Sequence, residues 1–447
     1  MRIAIVGGGI SGLTAAHLLV AAGRDVTLFD DAAEPGGLIR SERRGELLCE
    51  RGPQAVLDGA PEVRALIAAA GLSERALVAK AASRRRFVYV GGALRPFPGS
   101  PPALFKTSLL SVKGKLRLFA EAFVRRPTTR PDPDESVFDF VARRFGPEAA
   151  RRAAAPAVIG VFAGDATEIA ARAAFPRLGE LEDQHGSVLR GLLRSRGKSR
   201  MGRPTTFPDG LGELPRALSA QLGPRRLALR VDALAPRGRG WSIAAGAKSF
   251  EADRVLLTTP AAVTAGLLAP HAPDAADALR AVPHAPLAVV TLGFRAAPET
   301  LSMDLAAYGF VAARGEGLDL LGCQYETSVF SGRAPDGTVL LRALMGGTFN
   351  PRLVDAGDDV LAAKTVGDLR RATGLRREPD FVDVWRARPG IPQYTRGHAA
   401  RVAAVDVALA RLAGLHAIGH ALRGPGVAAS IRAATEAAAA LAQPAAT

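Results

Sequence analysis

The stretch Ile3-Ala4-Ile5-Val6-Gly7-Gly8-Gly9-Ile10-Ser11-Gly12-Leu13 (IAIVGGGISGL, residues 3–13) decides the fold. Ile3 to Val6 form a short apolar run suited to a buried parallel strand. Gly7, Gly9 and Gly12 let the backbone turn tightly and approach a pyrophosphate. The helix expected over roughly Ser11–Ala22 aims its positive end at that phosphate. Gly23 ends the helix, and Val26 to Phe29 reads as a second strand. Asp30 follows at its end, 18 residues past Gly12, where a carboxylate binds a ribose hydroxyl. Glycines alone are weak evidence. Strand, glycines, helix, strand and acid in register are strong, and they predict a bound dinucleotide. An acid in the ribose position disfavours a 2′-phosphate, so FAD or NAD is favoured over NADP.

Composition bounds the rest. A chain of 447 residues accommodates two or three globular units. Its two cysteines, Cys49 and Cys323, form no C-x-x-C, which argues against a metal cluster or a disulfide framework and fits a reducing cytoplasm. His416 and His420 are four apart but flank a strand end and its turn, so no metal site is expected. Neither a signal peptide nor a membrane span is read. The net charge is +15. It fits either compositional bias in an Arg- and Ala-rich chain, or attraction to anionic lipid or an anionic substrate. With 5% aromatic residues and no basic stripe interleaved with stacking residues, nucleic acid is not an expected partner.

Along the chain, residues 61–80 have a helical pattern. RRRFVYVGGALRPFP (84–98) reads as a hairpin turning at Gly91-Gly92, and RRPTTRPDPDE (125–135) as a Pro-rich linker. Residues 227–262 resemble a small antiparallel insert followed by a strand of the parallel sheet. Residues 284–350 read as alternating strands and 358–373 as a helix. LHAIGHALRGPGVAASIRAATEAAAALA (415–442) is a second strand, glycine turn and helix. The two strand–glycine–helix units are expected in one sheet, with a substrate domain inserted between them.

Asp30-x5-Gly36-Gly37 after the glycines resembles the flavoproteins that include amine oxidases, phytoene desaturases and protoporphyrinogen oxidases. CERGPQAVL (49–57), the 84–98 hairpin, GVFAGDATEIAARAAFP (160–176), LEDQHGSVLRGL (181–192), LGCQYETSVFSGRAPDG (321–337), LMGG (344–347) and GIPQYTRGH (390–398) follow in an order similar to the last of these. The resemblance covers nearly the whole chain. It implies an α/β fold with α+β insertions: a discontinuous Rossmann-like FAD-binding domain (1–82, 207–265, 412–447), a mixed-sheet substrate domain (83–97, 173–206, 266–411) and a helical membrane-associated region (98–172). It implies oxidation of protoporphyrinogen IX to protoporphyrin IX in haem synthesis, or of coproporphyrinogen III as the close variant. Three two-electron steps would be linked to O2. It further implies peripheral attachment to the cytoplasmic face of the inner membrane, and a homodimer is an open expectation.

Such chemistry needs a carbon-bound hydrogen held against flavin N5, so position matters more than acid–base groups and no catalytic side chain is assigned. The resemblance places Gly7, Gly9, Ser11 and Gly12 on the FAD pyrophosphate and Asp30 on the ribose. Gly36, Gly37, Gly52 and Pro53 would line the cofactor. Val231, in a short strand, would pair its backbone with adenine. Gly419 and Val427 would lie near the flavin, with the last helix aiming its N-terminus at the pyrimidine ring. Arg86 would take a substrate propionate through its two-pronged guanidinium, although an exposed basic strand also explains it. Phe162, Gly164, Val311 and Leu344 would line a porphyrin pocket, or simply pack a core. Residues 101–126, with Leu104, Phe105, Leu109, Leu110, Leu116, Leu118, Phe119 and Phe123 among Lys106, Lys113, Lys115 and Arg117, would form an interfacial helix hairpin, or an amphipathic helix packed on its own domain.

The chain departs from the family at Pro425 and Ala429 in the last turn, at His420 beside the flavin, and at Ala313 and Ala387 in the substrate wall. Two other readings stay open: another amine oxidase- or desaturase-type flavoprotein, and an FAD-binding protein without catalysis.

Overall fold

In a computed structural model, which describes residues 1–99, 101–124, 132, 134–194 and 202–443, the apolar run forms strand β1 (Arg2–Val6), buried at four of five positions. The chain continues through α1 (Ile10–Ala21), β2 (Asp25–Phe29) and the hairpin β3 (Phe87–Val90)–β4 (Ala93–Pro96). Short helices occupy much of 101–194, among them α2 (Ala155–Phe162). Then come β5 (Arg226–Leu227), β6 (Arg254–Leu257), β7 (His284–Arg295), β8 (Gly309–Ala312), β9 (Leu320–Tyr325) and β10 (Thr338–Gly346). The last elements are α3 (Asp358–Thr373), β11 (Phe381–Pro392), α4 (His398–Ala410), β12 (Leu415–Ala417) and α5 (Val427–Ala442).

Two sheets organise these elements. The first, in the order β5-β2-β1-β6-β12, is parallel throughout. It joins the first strand of the chain to the last. Small residues let its helices come close: Ala15 and Ala16 of α1 share one core with Ile431, Ala434 and Ala438 of α5. On the other face, Val6, Phe29 and Leu257 pack with Trp241 and Ile243 of the three-stranded antiparallel insert. The second sheet, in the order β11-β7-β10-β9-β8-β3-β4, is antiparallel except where β8 runs parallel to β3. This is the mixed sheet expected of the substrate region.

Several local expectations are corrected. The helix expected over 61–80 ends at Ala69, and a 3-10 turn and a two-residue strand (Leu77–Val78) follow. Arg226–Leu227 is an unexpected edge strand of the cofactor sheet, and the long strand β11 was not anticipated. Leu109 and Leu110 are buried rather than facing outward, Leu109 beside Val88 and Val90. Arg117 turns inward and donates to the Arg143 and Arg144 carbonyls, capping a helix C-terminus. Most of the 125–135 linker and the Phe105 side chain lie outside the described residues.

Candidate flavin site

The glycine turn leaves β1 at the carboxyl edge of the parallel sheet, where open α/β sheets bind ligands. Gly7 has φ +112°, a conformation that strains residues with a Cβ. Gly9, the N-cap of α1, has nothing within 4 Å of where a Cβ would stand. The first turn of α1 carries no capping side chain and no acid, so its backbone donors remain available to an anion. α5 also begins without a side-chain cap or an acid in its first turn, at Val427.

The other expected cofactor residues gather here. Gly36 bridges to Gly9 and donates to the Gly8 carbonyl (2.8 Å). A Cβ on Gly37 would lie 3.4 Å from the Gly9 Cα. Gly52 is pressed against the Leu38 carbonyl, so the Gly52-Pro53 segment abuts the Gly36-Gly37 turn. Thr258, after β6, donates to the Gly7 carbonyl (2.9 Å), and Gly419 lies near Thr259, after β12. Three adjacent parallel strands therefore present their loops side by side. Ser11 is buried.

Asp30 lies at the tip of β2, over Gly8. It accepts from Arg226 Nη2 (3.1 Å). That partner was missed in the sequence, because β5 brings it from almost two hundred residues away. Val231 is buried beside Phe29 and lies between strands rather than in one. Among the described residues its amide and carbonyl make no backbone hydrogen bond, which suits the adenine role. A groove with open helix termini, a cradle that Cβ atoms would fill and an acid at the tip of β2 fits a flavin dinucleotide.

The substrate residues separate into two groups. Val311 and Leu344 share a row of the second sheet through Gly322, and Val311 is the register partner of Val88. Both pack with Ile159, Ala163, Leu321 and Ile391 in one apolar cluster. Arg86 stands just before β3. Its guanidinium lies 5.0 Å over the Tyr308 ring, while Arg85 pairs with Asp304. Among the described residues the Arg86 guanidinium has no hydrogen-bond or carboxylate partner. Phe162 belongs elsewhere: it is fully buried, with its ring against Phe175 and Tyr394 in the helical core. Gly164 is a close-approach position whose Cβ space is filled by the Gln393 side-chain oxygen.

A buried polar network ties the second sheet to the Glu50–Gly52 segment that abuts the Gly36-Gly37 turn. Arg342 of β10 donates to the carbonyls of Glu50 (3.0 Å) and Gly52 (2.5 Å) and to Gln324 Oε1 (2.7 Å). Arg333 donates to Glu50 Oε1 (3.0 Å). With the Gln54 amide nitrogen facing Glu326, it donates to that carboxyl (2.6 Å) and its oxygen accepts from the Tyr308 hydroxyl (2.8 Å). Burial pushes the Glu326 carboxyl up to about 7, against the pull of Arg333 and Arg342. His420, in the last turn, faces His284 at 6.3 Å between ring centroids, and burial holds its imidazole down to about 4.

Fold and cradle together define a flavin-dependent oxidoreductase. Residues 10–442 match the model of the flavin-containing amine oxidoreductases, and the chain belongs to that family. Its cofactor is FAD. Within the family it is 34% identical to the chloroplastic protoporphyrinogen oxidase of Oryza sativa subsp. japonica, over 91% of this chain and 81% of that protein. It is 27% identical to the coproporphyrinogen III oxidase of Bacillus subtilis, over 95% and 94%. The crystal structure of a candidate protoporphyrinogen oxidase from Exiguobacterium sp. 255-15 superposes with a TM-score of 0.84 at 26% identity, covering 99% of this chain and 98% of that one.

Proposed function

We propose that this chain oxidises a porphyrinogen to a porphyrin in haem biosynthesis, with protoporphyrinogen IX as substrate, coproporphyrinogen III as the close variant, and O2 as terminal acceptor. The carrying observation is the unpartnered Arg86 guanidinium, two residues before Val88, the register partner of Val311 in the apolar row with Leu344. That pairing of features suits a flat apolar macrocycle with carboxylates on its rim. The curated relatives named for these two substrates support the reading. Bound FAD supplies a two-electron acceptor for a carbon-bound hydrogen. The chain's own part is to hold the macrocycle: Arg86 takes a rim carboxylate, and the apolar row excludes water from the ring.

The test is purified holoprotein with O2 and each porphyrinogen in turn, read by porphyrin fluorescence. Product is expected, and Arg86→Ala should raise KM with FAD retained. No product from either substrate, with flavin bound, overturns the reading. An unchanged KM removes Arg86 from the site.

The same reading extends to a membrane surface. On Val112–Phe119, Val112 and Leu116 are 75% and 67% exposed, and Phe123 beyond it is 86% exposed. Lys106 and Lys113 are exposed nearby. Apolar side chains entering the lipid boundary with lysines at the headgroups describe peripheral attachment to an anionic membrane, which we assign to the cytoplasmic face of the inner membrane. Among the described residues no helix is long and apolar enough to cross a membrane.

A further inference from the structure

The segment after Gly390 ties three parts of the molecule together. Gln393 donates through its side chain to the Phe162 carbonyl at the end of α2 (2.7 Å), and its amide donates to the Pro283 carbonyl just before β7 (2.8 Å). The Tyr394 carbonyl accepts from the Ala170 amide (2.8 Å), and Thr395 bridges to Ile169. Ile391 packs in the apolar cluster with Val311 and Leu344. The third attachment is the Tyr394 hydroxyl. It donates to the His420 carbonyl (2.6 Å) and accepts from the Gly424 amide (2.6 Å).

A phenol has one proton to give and lone pairs to receive with, so both bonds form at once. They close the span 420–424, whose backbone turn bonds among the described residues run from the Leu422 and Arg423 amides to the Gly419 carbonyl. Gly424 has φ +100°, so its amide direction is set by a conformation that few other residues adopt. The Tyr394 ring is itself held, stacked on His398 at 3.8 Å and packed against Phe162 at 5.8 Å. The hydroxyl is therefore a fixed point, rigid with respect to the substrate wall, and the turn hangs from it.

We propose that Tyr394 is a positioning residue for the flavin: its hydroxyl latches the 420–424 turn to the substrate wall and thereby sets where Gly419 and Val427 meet the cofactor. This rests on the assignment of the 419–427 turn to FAD. It does not depend on which porphyrinogen is the substrate. The latch links two units that must keep register for a bound macrocycle to meet the flavin. A displacement of about 1 Å at such a seam is enough to slow chemistry by about a hundredfold.

Tyr394→Phe keeps the ring contacts and removes both hydrogen bonds. The expected result is a Kd for FAD raised about tenfold, equivalent to ~1.4 kcal/mol, measured by flavin fluorescence on reconstituted apoprotein. The two-electron midpoint potential of the bound flavin should shift by about 30 mV, if oxidised and reduced flavin lose affinity by factors differing tenfold. With an active porphyrinogen, kcat should fall while KM stays near its original value. Wild-type Kd and potential in Tyr394→Phe would overturn the proposal. So would a variant apoprotein that fails to fold or melts more than a few degrees lower, because Tyr394 would then be a structural residue. Kd and potential are read without substrate. Failure of the porphyrinogen assignment would therefore leave this test standing, and failure here would leave that assignment untouched.

Discussion

Gly9 and Gly12 belong to the same turn but answer to different neighbours, and exchanging each for alanine separates cofactor binding from folding. Gly9 has φ −72° and ψ 176°, which alanine adopts freely, and its Cβ position is open for 4 Å around. Gly9→Ala should therefore leave the thermal midpoint of the apoprotein unchanged. If Gly9 meets the pyrophosphate, as the resemblance implies, the added methyl stands in its path. Losing one charge-assisted backbone bond there costs about 1.5–3 kcal/mol, a roughly 10- to 150-fold rise in Kd for FAD. Gly12 is closed on the protein side: a Cβ would overlap the Gly7 carbonyl oxygen and lie 2.7 Å from Thr258 Oγ1. Backbone on one side and the buried face of α1 on the other leave no cheap relief. Gly12→Ala should cost about 3 kcal/mol of stability and also weaken FAD. Calorimetry on apoproteins and flavin-fluorescence titration report the two effects. Equal destabilisation by both substitutions, or undiminished FAD affinity in Gly9→Ala, would refute this division of labour.

Three further outcomes are expected. Arg342→Met leaves the Glu50 and Gly52 carbonyls without their donor and should cost about 3–5 kcal/mol in urea unfolding. Arg342→Lys should recover only part of this, since a point charge cannot replace a three-way fork. His398 is buried and held down to about 4 from 6.5. The unfolded chain takes up its proton first, so the contribution is complete above about pH 6.5 and is lost as pH falls toward 4, by at most about 3 kcal/mol. Glu326, raised from 4.5 to about 7, slopes the other way between those values. The readout is therefore the wild-type minus His398→Phe difference in unfolding free energy at pH 7 and pH 4, which should shrink on acidification. Leu116→Glu should reduce binding to phosphatidylglycerol vesicles about thirtyfold, the equivalent of one leucine's ~2 kcal/mol; unchanged flotation would remove that helix from the membrane face.

Features carried by local pattern were legible in the sequence. The apolar run and glycines gave β1, the turn and α1. The periodicity of 358–373 matched α3 residue for residue. The hairpin at Gly91-Gly92 announced itself through its turn chemistry. What escaped depends on distance along the chain. β5 is two residues long and exists because β2 offers it an edge. Arg226, Arg342 and Tyr394 act on partners that only the folded chain brings near. Phe162 stays ambiguous in the sequence, between pocket wall and core, because an apolar residue in a family motif looks the same in either place. The structure separates it from Val311 and Leu344 by showing which side of α2 it occupies. The basic residues show the same limit: Arg85, Arg86 and Arg95 are equivalent as letters, and only the placement of Asp304 and Tyr308 sets Arg86 apart.

The parallel sheet pairs β6 with both β1 and β12, and this has a consequence for the order of events in synthesis. Gly12 leaves the ribosome roughly 20–80 s before Gly419 at ordinary elongation rates. During that interval half the cofactor groove is waiting for a strand not yet made. With the 419–427 turn on the cofactor, as proposed, FAD capture is a late event that waits for β12 and α5, and the long section between β1 and β12 must fold or be sheltered before these strands share a sheet.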